Sequence, residues 1–212
     1  MKPFLTYIFS GKSSLLLTLF RLLDLRSGTI TIDTLDISNM PRSILHSHIN
    51  IIPQDPIIFP GSVRLNAHPL SPLPSPPEDA AIISALTSVE LWSTIEPRGG
   101  LEADMSKIPL SHGQKQLFCL ARAILSRDSS PILVLDEPTS NVDHHTDELM
   151  QQIIRKEFAG KTLIAVVHKL NTVLDFDRIA VLDQGALVEY DSPGNLIKKD
   201  AGAFRSLYDS QK

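Results

Sequence analysis

Hydrophobic positions along the chain follow two different spacings, and these predict alternating helices and strands. Segments with an apolar residue every three or four positions are typical of amphipathic helices, and they cover residues 12–28, 77–92, 113–127, 144–158 and 192–208. Short apolar runs bounded by Gly, Pro or polar residues predict strands, and they cover residues 29–33, 48–54, 131–138 and 162–168 and the hairpin 178–190. This alternation predicts an α/β fold with a mainly parallel sheet.

Polar residues follow several of these apolar runs directly. Gly11 and Lys12 follow the first run, Asp136 and Glu137 follow the strand-like run 131–138, and His168 ends the run 162–168. Parallel sheets bind their ligands at the carboxyl ends of the strands. The pattern therefore predicts that these residues share one edge of the sheet.

Residues 6–14, TYIFSGKSS, end like a phosphate-binding loop of the form G-x-x-x-x-G-K-[ST]. In such a loop the backbone amides around Gly11 and Ser14 cradle phosphate oxygens at a helix N-terminus. Lys12 then reaches the terminal phosphates and the Ser13 hydroxyl binds Mg²⁺. A Gly-Lys-Ser triplet alone is weak support, because it also arises by chance.

The same loop departs from the motif at two positions. Thr6 stands where the first glycine is expected, and Phe9 stands where a further small residue is common. Glycine serves at such positions because the backbone approaches the phosphate closely. We expect Thr6 and Phe9 to impair the phosphate cradle.

Residues 132–138, ILVLDEP, form an apolar run that ends in two acids. A carboxylate at the end of a buried strand supports the Mg²⁺ shell in nucleotide hydrolases, which assigns that role to Asp136. The adjacent Glu137 then acts as general base toward water. Acids at a strand end are common, and it is the Gly-Lys-Ser triplet upstream that favours the catalytic interpretation.

Residues 110–114, LSHGQ, immediately precede a strong helix pattern. Ser111, the Gly113 amide and the helix N-terminus can together bind a phosphate. A plain helix cap explains Ser111 by itself, but it does not explain the whole pentapeptide with Gln114.

With this pentapeptide the chain resembles the nucleotide-binding domain of ATP-binding-cassette (ABC) transporters over about residues 10–210. It is most similar to the second such domain of the class C, multidrug-resistance-associated type, because class C first domains commonly lack the glutamate found here as Glu137. The resemblance implies one P-loop NTPase domain over residues 1–212. It also implies a small helical subdomain, about residues 56–128, that carries the signature motif.

Three further segments carry the resemblance and imply roles for single residues. Residues 51–66 resemble the Q-loop, which implies that Gln54 binds Mg²⁺ and water together with Ser13 and Asp136. SNVD, residues 140–143, resembles the D-loop, so Asp143 is implied to face a partner domain. His168 lies in the H-loop segment and is implied to contact the γ-phosphate.

The resemblance implies that two such domains close head to tail around ATP. Ser111, Gly113 and Gln114 of one domain then contact the ATP held by the other. Hydrolysis drives export through a transmembrane domain, which places the chain on the cytoplasmic face of a membrane. The alternative is a truncated or degenerate cassette that binds nucleotide weakly without efficient hydrolysis. Truncation is favoured over gradual divergence, because every downstream motif is intact while the upstream ones fail together.

Composition narrows the choice of partners. The net charge of −4 predicts no general attraction to nucleic acid. Cassette ATPases that act in DNA repair contain long coiled coils, and this sequence has no heptad run that would predict one. The single cysteine excludes an internal disulfide framework. No apolar run reaches the roughly 18 residues that span a bilayer, since Arg21 and Asp24 interrupt the best candidate.

Overall fold

The structure is a computed structural model, and it describes residues 4–8, 12–69, 77–167 and 170–211. In chain order the strands are β1 Phe4–Ile8, β2 Thr31–Ile32, β3 Leu35–Asp36, β4 Ile49–Ile52, β5 Ile132–Asp136, β6 Thr162–Val166, β7 Arg178–Asp183 and β8 Ala186–Asp191. The helices are α1 Lys12–Leu19, α2 Arg42–Ser47, α3 Val63–Ala67, α4 Asp79–Ser88, α5 Trp92–Ile95, α6 His112–Leu125, α7 His144–Glu157, α8 Pro193–Lys198 and α9 Ala203–Ser210.

The chain divides into two compact units, and the first comprises residues 1–49 and 162–212. In this unit β1 pairs in parallel with both β6 and β7, and β7 pairs antiparallel with β8. Its hydrophobic core is built from buried residues of β7, the helices that follow and the turn after β6, namely Leu170, Val173, Ile179, Val181, Leu196 and Phe204. The predicted α/β class with parallel pairing is confirmed.

Two hairpins in this unit turn on residues with positive φ. The predicted hairpin at 178–190 is confirmed, and Gln184 and Gly185 at its tip have φ of 46° and 80°. Positive φ at both tip residues gives the turn whose twist matches that of paired strands. The predicted strand 29–33 is shorter than expected, because the chain reverses at Asp33 and Thr34 and pairs β2 with β3.

The first predicted helix, residues 12–28, is wrong in its length, because α1 ends at Leu19. Arg21 takes a positive φ of 52°, which ends the helical path. The Arg21 guanidinium then donates hydrogen bonds to the backbone carbonyls of Ile37 and Met40. A contact with residues far along the chain thus overrides an apolar spacing that continues to Leu25.

The predicted final helix, residues 192–208, is interrupted. It forms as α8 and α9, because Ala201 has a positive φ of 56° and Gly202 caps the second helix. The segment contains Gly194 and Gly202, and glycine is unfavourable inside a helix.

The second unit comprises residues 50–161. Its centre is α6, against which α3, α4 and α7 pack. Four predicted elements are confirmed with small shifts at their ends: β4, α6, β5 and α7. The predicted helix 77–92 ends at Ser88 as α4, and Trp92 starts the short α5. The helical subdomain of about residues 56–128 stays a prediction and lies within this unit.

Residues 70–76, a stretch rich in proline, lie outside the described part of the chain. In the parts that the structure describes, no helix combines the length and the apolar character that crossing a bilayer requires.

Candidate functional site

The phosphate-loop segment joins a central strand to a helix. β1 ends at Ile8 and α1 begins at Lys12, so Lys12, Ser13 and Ser14 form the first turn of α1. The first amides of a helix have no partner within the helix and favour anions. No acidic residue lies in this first turn to oppose a phosphate. Gly11 lies outside the described residues.

The structure corrects the interpretation of Thr6. Thr6 lies inside β1, in register with Ala165 of β6 and Ile179 of β7. Its backbone is therefore extended and paired on both sides, so it does not belong to a loop. A glycine at this position would weaken a central strand. Strand β1 lies directly before the phosphate-loop segment. Phe9 lies outside the described residues.

Strand β5 is buried along most of its length, and the two predicted acidic residues lie at its carboxyl end. Residues 132–135 are buried, and Asp136 is half-buried at the strand's carboxyl end. Glu137 follows with a φ of 49°, which is left-handed backbone, and its carbonyl accepts a hydrogen bond from the Ser140 amide at 3.2 Å. A non-glycine residue held in this region stores strain on the order of 1–3 kcal/mol, and such strain concentrates at functional sites.

The signature pentapeptide begins α6 with a reciprocal cap. Ser111 Oγ accepts a hydrogen bond from the Gln114 amide at 3.1 Å, and Gln114 Oε1 accepts one from the Ser111 amide at 2.9 Å. This capping box accounts for the Ser and Gln spacing in structural terms. The Ser111 hydroxyl keeps its own proton, which it can donate to a ligand.

Gly113 is required by close packing between two helix N-termini. A Cβ at this position would lie 3.1 Å from Thr146 Cγ2 and 3.3 Å from Thr146 Oγ1. Gly113 is buried, and Thr146 lies in the first turn of α7. The beginnings of α6 and α7 therefore meet at this point.

Asp143, predicted to face a partner domain, is the N-cap of α7. Its carboxylate accepts hydrogen bonds from the Thr146 amide at 3.0 Å and from Thr146 Oγ1 at 2.8 Å. The amide hydrogen bond in particular holds the pKa of Asp143 below its ordinary value. The side chain is exposed. Thr146 thus connects Asp143 to Gly113, a link that the sequence did not reveal.

Gln54 lies just beyond β4 with its side chain exposed. Its backbone carbonyl accepts a hydrogen bond of 2.6 Å from Nε2 of Gln116, which also donates to the Pro53 carbonyl at 3.0 Å. Gln116 is fully buried in α6. Sequence reasoning missed it, although a glutamine on the apolar face of a helix is a usable signal.

The predicted site residues fall into both units. The second unit contains Gln54, Asp136, Glu137, Asp143 and the signature residues of α6, and the first contains the α1 residues. His168 lies outside the described residues, so its role stays a prediction. Within the described part of the chain, no cluster of three His, Cys, Asp or Glu side chains could hold a metal ion.

A solved structure resembles this chain over nearly its whole length. A bacterial Atm1-family ABC exporter, solved with ATP bound, superposes with a TM-score of 0.86 and 29% identity, over 99% of this chain and 36% of that one. This likeness assigns the P-loop NTPase fold. The family model described as "ABC transporter" matches residues 10–140.

Sequence relatives agree. The chain is 47% identical over 201 residues to "ABC multidrug transporter B" of Aspergillus fumigatus, covering 95% of this chain and 13% of that protein. It is 42% identical over 205 residues to "ATP-binding cassette sub-family C member 10" of Mus musculus, covering 96% of this chain and 13% of that protein. The chain belongs to the ABC transporter family, whose nucleotide-binding domains bind ATP, typically with Mg²⁺, and are generally ATPases.

Proposed function

We propose that this chain is the ATP-hydrolysing module of an ABC exporter, and that it is a second nucleotide-binding domain of the class C type. The identity with a sub-family C protein over nearly the whole chain supports the class. The presence of Glu137 supports the second-domain assignment. The relatives are about seven times as long as this chain, so export and its substrate belong to the proposal.

One observation carries the hydrolytic assignment: buried β5 ends in Asp136 and is followed by Glu137 in left-handed backbone. A strained turn directly after a buried strand fixes the direction in which the next side chains leave the sheet. Two adjacent carboxylates can then serve different roles, Asp136 toward a metal ion and Glu137 toward water.

The donor set of the site fits MgATP. Mg²⁺ prefers oxygen ligands, and Ser13, Gln54 and Asp136 offer a hydroxyl, an amide and a carboxylate. When bound, Mg²⁺ neutralises charge on the phosphates during transfer. Gly11, Ser14 and the first turn of α1 hold the phosphates through backbone amides, and the Lys12 ammonium neutralises the terminal ones.

Glu137 accepts the proton of the attacking water, and His168 contacts the γ-phosphate. Both assignments follow the chemistry of phosphoryl transfer, where positioning and charge neutralisation provide most of the catalysis.

The partners in this proposal are a second nucleotide-binding domain and a transmembrane domain, with no nucleic acid. Ser111, Gly113 and Gln114 face the ATP of the second domain, and Asp143 lies at the same interface. The shared position of Gly113 and Asp143 at the beginnings of α6 and α7 supports this assignment. The transmembrane domain places the chain at the cytoplasmic face of a membrane.

The second candidate is a cassette that binds nucleotide without efficient turnover. One observation favours it: the phosphate motif has its first glycine at position 6, and the chain has Thr6 there, inside β1.

Comparing wild type with the variant Glu137→Gln tests both candidates. We expect it to abolish phosphate release while MgATP affinity is retained, because the amide keeps the shape of the side chain but cannot accept the proton. The measurement is single-turnover hydrolysis beside equilibrium binding of a fluorescent ATP analogue. Wild-type binding without turnover selects the second candidate. Turnover that survives in the variant rejects Glu137 as the base.

A further inference from the structure

The side chain of Gln116 connects two parts of the proposed nucleotide site. Gln116 lies in α6, five residues after Ser111, and it is fully buried. Its Nε2 donates to the carbonyls of Pro53 and Gln54 at 3.0 and 2.6 Å. One amide group therefore holds the backbone of the segment that carries Gln54 against the helix that carries the signature residues.

The orientation of this amide is determined by its two acceptors. A flipped amide would place Oε1 against two carbonyl oxygens, which repel it. In the observed orientation Oε1 is buried, and among the described residues it has no hydrogen-bond partner. An unpaired buried acceptor is unfavourable, so the value of this residue lies in its two donated bonds.

A second contact of α6 holds the same segment further along. Arg122 is half-buried, and it donates to the carbonyls of Ile57 and Asn66, each at 2.5 Å. Its guanidinium lies 5.7 Å from the ring centre of Phe59. Gln116 and Arg122 therefore attach residues 53–66 to α6 near both ends of this segment.

We propose that Gln116 is a positioning residue that locks the Gln54 backbone to α6, so that the Gln54 side chain is aimed for MgATP and both elements respond to nucleotide as one body. Gln116 touches no nucleotide itself, and its effect passes through Gln54. This inference rests on the proposed function of Gln54 as a ligand of Mg²⁺ and water.

The test is a double-mutant cycle between Gln116 and Gln54 in the full chain. We expect Gln116→Met to weaken MgATP binding about tenfold, the usual effect of losing a group that orients a metal ligand, and to leave binding of ATP in EDTA unchanged. Adding Gln116→Met to Gln54→Ala should cause no further loss, because the two residues act through the same contact. Additive losses, or equal losses with and without Mg²⁺, would overturn the proposal.

The matched control is Gln152→Met, the same change at an exposed position of α7. It should leave MgATP affinity as in wild type.

Deuterium exchange tests, in the absence of nucleotide, whether Gln116 holds the Gln54 segment against α6. Pro53 and Pro56 have no amide hydrogen, so the reporters are the amides of Gln54, Asp55 and residues 57–59. We expect these amides to exchange faster in Gln116→Met than in wild type or Gln152→Met. If wild type binds no ATP, the proposed function fails, but the exchange experiment still tests the positioning role of Gln116. Equal exchange in all three proteins would overturn that role.

Discussion

Thr146 shows how a single side chain can join two motifs that are separate in the sequence. Its methyl group lies against Gly113 of the signature segment, and its hydroxyl and amide bind Asp143. The hydrogen bond between the hydroxyl and the carboxylate fixes the rotamer, so the methyl group cannot turn away from Gly113. The glycine at this position is explained by space and not by backbone conformation.

This contact predicts whether the substitution Gly113→Ala raises or lowers the free energy of unfolding. Helix propensity alone predicts that Gly113→Ala stabilises α6. We expect the opposite, a loss of about 1 kcal/mol in the free energy of unfolding, because the added methyl group overpacks the contact with Thr146. Urea denaturation measures this difference.

The control for this prediction removes the opposing methyl group. Thr146→Ser keeps the hydroxyl that binds Asp143 and deletes Cγ2. In the double variant Gly113→Ala, Thr146→Ser we expect the stability to return most of the way to that of Thr146→Ser alone, because Oγ1 remains 3.3 Å from the added Cβ. A double variant that remains as unstable as Gly113→Ala would show that the contact is not responsible.

At the scale of elements, the last two helices are anchored to β8 by a buried carboxylate. Glu189 accepts a hydrogen bond from the Phe204 amide at 2.9 Å and forms an ion pair with Lys199 Nζ at 2.9 Å. Burial by itself raises the pKa of Glu189, but the Phe204 amide and Lys199 outweigh it and hold the pKa below its ordinary value. The ionised form therefore stabilises the turn between α8 and α9.

The direction of this pKa shift predicts how stability depends on pH. Because the folded pKa is lowered, the contribution is complete above the ordinary glutamate pKa and is lost as pH falls through the folded value. We expect Glu189→Gln to lose about 2 kcal/mol at pH 7, the usual scale for hydrogen bonds to a charged group. The loss should shrink toward pH 3.

Urea denaturation at a series of pH values checks this prediction. Asp200→Asn is the control, since Asp200 pairs with Arg205 while its own side chain is 99% exposed, and exposed pairs contribute little. If the difference between wild type and Glu189→Gln stays constant down to pH 3, Glu189 is not ionised in the way proposed.

At the scale of the whole molecule, the proposed function requires two nucleotide-binding domains. In the head-to-tail pair that we propose, the phosphate-loop residues and the signature residues of one domain serve different ATP molecules, so each site takes one set from each domain. Where two copies of this chain form the pair, the arrangement predicts complementation between two inactive variants.

We expect Lys12→Ala and Ser111→Arg each to lose ATP hydrolysis, and an equal mixture to recover it. Half of the dimers in the mixture contain one of each variant, and one of their two sites is intact, so about a quarter of wild-type activity should return. Steady-state phosphate release over a titration of the mixture measures this. No recovery, under conditions where sedimentation shows mixed dimers, would contradict the head-to-tail site.

The sequence predicted the elements whose signals are local. β5 and α6 follow from an unbroken apolar run and a strong helical period, and the tip of the β7–β8 hairpin follows from Gly185. The position of Asp136 and Glu137 at a strand end followed from the same patterns. The roles of all the predicted site residues remain predictions, and His168 and Gly11 lie outside the described part of the chain.

What the sequence determined by itself is the order of strands and helices and the residue types available at their ends, because spacing and turn chemistry act between neighbours in the chain. Only the tertiary structure decided that α1 ends before Arg21, that Thr6 belongs to a strand, and that Gln116 and Thr146 connect separate motifs. Each of these outcomes depends on a hydrogen bond or a close contact between segments that are distant in sequence. No local pattern carries that information, because it arises only when folding brings the partners together.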